Sequence, residues 1–87
     1  MLKMRMEGKS ECVIPSHFSV VEIHLGNGLL KVINEPEEGS WRVETYEDHI
    51  LHRDSTFYTV TKEKPIASLS LDGVEIEIEY QSSSVGT

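Results

Sequence analysis

Between Leu69 and Tyr80 the chain alternates apolar and polar residues on either side of Asp72-Gly73, and this stretch constrains the fold more than any other. Period two belongs to a half-buried strand, not to a helix. Asp-Gly readily takes the positive φ angles of a two-residue I′ turn. With that turn, Leu71 faces Val74, Leu69 faces Ile76 and Ala67 faces Ile78 on one side. Ser70 then meets Glu75, and Ser68 meets Glu77, on the other. A slip of one residue would carry the whole apolar set into water, so burial and turn chemistry specify the same register.

A second hairpin runs from Phe18 to Ile33. Val21, Ile23 and Leu25 alternate with Glu22 and His24, and Leu30 and Val32 flank Lys31. Either Gly26-Asn27 or Asn27-Gly28 supplies its turn, and both keep the same faces together. This hairpin differs from the first in being apolar on both sides: Phe18 and Val20 oppose Val21 and Ile23, while Leu29 and Ile33 oppose Leu30 and Val32. Its second face calls for a cover, either the N-terminal segment from Leu2 to Ile14 or another chain.

Elsewhere, Pro36 and Gly39 break regular structure between Glu35 and Gly39. Trp41, Val43 and Thr45 alternate with Arg42, Glu44 and Tyr46 as a strand, with Trp41 a core anchor and Tyr46 on the opposite face. Glu47 to Ser55 reads as a wide turn or short strand pair, and Phe57 to Thr61 as a further strand rich in aromatic and β-branched residues. No window carries a helical period. The expected fold is therefore all-β: a small antiparallel β-barrel or roll of about seven or eight short strands, with a β-sandwich as the alternative. Residues 1–80 form one β domain and residues 81–87, rich in Ser and Gly, a disordered tail. A domain of this size has an expected radius of gyration near ~12 Å. Lys3 and Arg5 share a face of the first strand, and Glu75, Glu77 and Glu79 a face of the last. Pairing these strands would bring opposite charges together and close the sheet.

Charge and cysteine content narrow the functional classes. The net charge is −7, with 8 basic residues scattered along the chain, which argues against general nucleic-acid affinity. Cys12 is the lone cysteine, in an apolar context that suits a buried, inert thiol and a reducing, cytoplasmic compartment. The opening residues alternate apolar and basic types, unlike a signal peptide, and no stretch approaches transmembrane length. No membrane association is expected.

Catalytic and cofactor motifs are missing. Gly26-Asn27-Gly28 lacks the remainder of either phosphate-loop pattern, no G-x-S-x-G elbow surrounds a serine, and the adjacent carboxylates Glu37-Glu38 and Glu47-Asp48 lie in polar loops. We assign no catalytic residue, no cofactor and no metal. The weak metal candidates are His49 and His52 with Asp48 and Asp54; Cys12, His17 and His24 would join them only through the fold. A small metal-binding domain or enzyme built on His49 and His52 is thus an alternative function. A further one is a single-stranded nucleic-acid-binding barrel stacking bases on Tyr46, Phe57 or Tyr58.

The leading expectation is a non-enzymatic interaction or assembly module, such as a small subunit, adaptor or inhibitor, that docks on a protein partner or on itself as a homo-oligomer. Its expected interface is Phe18, Val20, Leu29, Ile33 and Tyr46. The stripe Glu75, Glu77 and Glu79 reads first as a solvated strand face and second as a docking face for a basic partner.

Overall fold

The structure is a computed structural model and describes residues 1–81. It is all-β, with eight strands: β1 (Leu2–Met6), β2 (Cys12–Ile14), β3 (Val20–Leu25), β4 (Gly28–Glu35), β5 (Ser40–Asp48), β6 (Arg53–Thr61), β7 (Ile66–Leu71) and β8 (Val74–Tyr80). They form two antiparallel four-stranded sheets, ordered β2-β1-β8-β7 and β3-β4-β5-β6. The radius of gyration is 12.7 Å. Residues 82–87, which hold most of the expected tail, lie outside the described residues; Gln81 itself donates its backbone N–H to Met1 O at 3.0 Å.

The β7–β8 hairpin forms as its alternation predicts. Leu71 pairs with Val74, Leu69 with Ile76 and Ala67 with Ile78, and both turn residues have positive φ, 50° at Asp72 and 79° at Gly73. The first and last strands also pair, Lys3 with Glu79 and Arg5 with Glu77. That pairing does not close the sheet. The chain reverses at Gly8 (φ 76°) and β2 takes the other edge of β1, so β1 and β8 become the sheet's central strands. Among the described residues the strands form no closed barrel.

In the β3–β4 hairpin the turn is Gly26-Asn27, because Leu25 pairs with Gly28. Packing makes that choice where the local pattern leaves it open. A Cβ on Gly28 would stand 2.8 Å from both Cγ and Cδ1 of Leu71, so residue 28 belongs to the strand lying under β7. Gly26, at φ 60°, is held against Asp72, whose carboxylate a Cβ at residue 26 would overlap. The tips of the two most legible hairpins therefore meet, and Asn27 N–H donates to Asp72 Oδ2 at 3.4 Å.

β7 packs against β4, β5 and β6, and the core fills between the sheets. Leu2, Met4 and Ile78 from the first sheet and Leu30, Val32, Val43 and Val60 from the second are wholly buried. Each such side chain contributes about 1.5–3 kcal/mol of burial. Trp41 is buried with them, as its strand pattern predicts. The N-terminal segment thus covers the inner face of the second sheet's core and not the outer face of β3–β4.

Candidate interaction face

The two sheets present different outer faces. On the first, Lys3 and Arg5 of β1 stand beside Glu77 and Glu79 of β8. Arg5 Nη1 donates to Glu77 Oε1 at 3.0 Å and Nη2 to Glu11 Oε2 at 2.9 Å, while Lys3 Nζ lies 3.9 Å from both Glu79 and Glu11. The hydrogen bond to Glu11 and then its charge, followed by the field of Glu77, raise the Arg5 pKa further above its ordinary value. Glu75 is the member of the acidic stripe without an ion pair among the described residues. An open hollow of about 450 Å³ at the end of this face is lined by Arg5, Glu7, Lys9, Ser68 and Glu75, among others. Its charges are of both signs and partly satisfy one another, so it offers no concentrated field to a ligand.

The second sheet's outer face is built from three rows that cross all four strands. Val20, Ile33, Arg42 and Thr59 form one; Glu22, Lys31, Glu44 and Phe57 the next; His24, Leu29, Tyr46 and Ser55 the last. Val20 is 49% exposed and Phe57 61%, whereas Ile33 is half-buried between its neighbours. Phe18, just before β3, is 47% exposed and stacks on His17 with ring centres 4.5 Å apart. This face thus combines exposed apolar side chains with the ion pairs Glu22–Lys31 and Arg42–Glu44.

Of the five expected interface residues, Leu29 is placed differently. It shares the outer face but is only 3% exposed, so it is unavailable to a partner in this conformation. The reason is long-range. The β5–β6 turn folds back over this end of the sheet, with His49 edge-on to His24 at 5.2 Å and His52 tilted on Tyr46 at 5.0 Å. His49 N–H donates to Asn27 O at 2.8 Å, and its Nδ1 lies 2.9 Å from the same carbonyl, fixing the turn to the β3–β4 tip. The chain covers one end of its own apolar face and leaves the other open.

The same turn accounts for the histidine candidates. His49 is engaged by Asn27 and His24, and His52 by Tyr46, so the two rings are held by different partners. Asp48 is a cap: its Oδ1 accepts from Ile50 N–H at 2.9 Å and Leu51 N–H at 3.0 Å. The Leu51 hydrogen bond, with lesser help from Ile50, Arg53 and His49, lowers its pKa below the usual carboxylate range. Asp54 takes a left-handed backbone, φ 54°, where β6 begins. Among the described residues no three His, Cys, Asp or Glu side chains come together as metal ligands. Cys12 packs against the core from the short strand β2.

Phe57 is the surface residue that the sequence placed in a strand without assigning to the interface. Arg42 lies over its ring, 4.6 Å from the centroid, and a groove of about 180 Å³ runs between Arg42, Glu44, Tyr46, Ser55 and Phe57. Tyr46 closes one side, its hydroxyl donating to Glu44 Oε1 at 3.0 Å; that bond first, and desolvation second, raise its pKa. Arg42 Nε lies 3.0 Å from Glu44 Oε2 but off the line of its N–H, so the contact is ionic and the buried N–H has no acceptor. Phe57 and Tyr58, successive residues of β6, point to opposite faces, so the three aromatics considered for base stacking do not form one platform. The chain matches no known protein family, no curated protein and no solved structure.

Proposed function

We propose that this protein is a non-enzymatic interaction or assembly module that docks through the outer face of the β3–β6 sheet. One observation carries the reading: Val20 and Phe57 stand open on a sheet face with Ile33 and Arg42 between the strands that bear them, while the opposite outer face is ion-paired across its central strands and exposes apolar side chains only at its two edges, Val13 on β2 and Ile66 on β7. Exposed apolar groups rimmed by charge, with an aromatic and an Arg among them, have the composition of a protein interface. Phe18, Ile33 and Tyr46 extend this face; Leu29 supports it from beneath. A small subunit, adaptor or inhibitor fits the description, with homo-oligomerisation adding to the modest stability of so short a chain. We further read the architecture as a β-sandwich, since two separate four-stranded sheets enclose the core, and the compartment as cytoplasmic from the lone thiol.

The test is native mass spectrometry of the untagged chain recovered gently from its source, beside a variant carrying both Val20→Lys and Phe57→Lys. A mass above the monomer that the double variant reduces to monomer, with the thermal midpoint unchanged, is the expected result. A monomer carrying a stoichiometric small molecule or metal would overturn it.

A further inference from the structure

We propose that β6 is a self-pairing edge: two copies of this chain join β6 to β6 antiparallel, making one continuous eight-stranded sheet with Phe57 at the two-fold axis. This deepens the interaction reading above and rests on it, naming the partner as a second copy and the contact as a strand edge.

The four sheet edges differ in how they are guarded. Unpaired edge strands template pairing with another chain unless they are short, charged, interrupted by proline or covered. β2 has three residues and is followed by Pro15. β3 carries Glu22 and His24 on its outer face. β7 has six residues and starts directly after Pro65. β6 has nine residues and no proline, and Arg53 to Phe57 are exposed in an unbroken run. Among the described residues no strand pairs with its far side. From Ser55 to Thr61 it reads Ser-Thr-Phe-Tyr-Thr-Val-Thr, without a charge and made of residues that favour strands.

The same run identifies the occupant. The chain carries −7 overall, so most approaches of two copies are repulsive, but the neutral stretch of β6 is a surface on which they are not. With Phe57 opposite its own counterpart, Ser55 faces Thr59, Thr56 faces Tyr58, Asp54 faces Val60 and Arg53 faces Thr61. No like charges are set against each other. The two Phe57 rings, each already beneath an Arg42, become a cross-strand aromatic pair. An isologous contact of this kind closes on itself as a dimer and does not propagate.

The 87-residue chain carrying Cys12→Ser provides the test. Ser55→Cys and Thr59→Cys are made in separate chains; both positions are exposed on the outer face and sit opposite one another only in this register. Under mild oxidation the mixed chains should form a disulfide-linked dimer that neither variant forms alone. In sedimentation equilibrium, Phe57→Lys should weaken the wild-type dimer by about tenfold or more, through like charges set opposite and a lost aromatic pair, while Val20→Lys leaves it intact. Equal cross-linking in all three samples, or in none, overturns the proposal. So does a dimer that Val20→Lys abolishes and Phe57→Lys spares, although that result leaves the interaction face standing; a monomer bound through Val20 to a different protein does the same.

Discussion

The β7–β8 and β3–β4 hairpins have similar lengths and equally clear alternation, yet they end in opposite situations. β7–β8 has one apolar face, which is buried, and one face that is polar except for Ile66 at the start of β7, with carboxylates that meet Lys3 and Arg5. β3–β4 has two apolar faces. One enters the core through Leu25, Leu30 and Val32, and the other is divided: Leu29 is sealed by the β5–β6 turn, while Val20 stays open. A hairpin with one apolar face is a structural element complete in its own fold. A hairpin with two has surplus that something must cover, and here the chain covers only part of it.

The largest expected effect separates the two residues of that divided face. Leu29→Ala should cost about 2–5 kcal/mol in denaturant unfolding, as deletion of a buried leucine does. Val20→Ala should stay within about 0.5 kcal/mol, as at an exposed site. Equal costs would mean that the face is not divided. Next comes Gly28→Ala, which forces Leu71 to move and should cost about 1–3 kcal/mol by overpacking; an unchanged midpoint would separate the two hairpins that the structure joins.

A smaller effect is expected on the polar side. Replacing Lys3 and Arg5 together by Glu puts like charges opposite Glu77 and Glu79, so the thermal midpoint should fall modestly, and less at high salt because the pairs are exposed. Reversing Glu77 and Glu79 to Lys in the same chain should restore it. Insensitivity to both changes would remove the charge pairing from the account.

The smallest effect concerns Asp48, which holds the turn over Leu29. Its folded pKa lies below the ordinary value, so its contribution to stability is complete above the usual aspartate range, near ~3.9. That contribution is lost as the pH falls through the lowered folded value. The Leu51 amide proton, which donates to this carboxylate, should report the titration by NMR at a pH below the ordinary range. A midpoint at or above that range would contradict the cap.

Where an element's fate is decided locally, the sequence told it. Asp72-Gly73 carries its turn angles, its register and its faces in twelve residues, and every expected pair from Ala67–Ile78 to Leu71–Val74 is present. The facing of Phe18, Val20, Leu29 and Ile33 away from the Val21 and Leu30 sides was partly legible too, since alternation settles it for the strand residues. What alternation cannot hold is who lies above. Leu29 and Val20 look alike in sequence and differ in the structure because a turn some twenty residues away is tied to Asn27. The same limit applies to β2, a three-residue strand that takes the edge of β1 and turns an expected closure into an open sheet. Phe57 shows its β propensity plainly, but only the strand order makes it an edge residue.

The central claim is that the outer face of β3–β6 associates and the outer face of the other sheet does not. Matched pairs of lysine substitutions test it directly: Val20→Lys with Phe57→Lys on the first face and Ser68→Lys with Ser70→Lys on the second, all at exposed positions, with association followed by sedimentation equilibrium in the presence of the native partner or a second copy. The account predicts unchanged thermal midpoints in both double variants, loss of association in the Val20/Phe57 variant and full association in the Ser68/Ser70 variant. Association that survives the Val20/Phe57 changes and fails in the Ser68/Ser70 variant would contradict it.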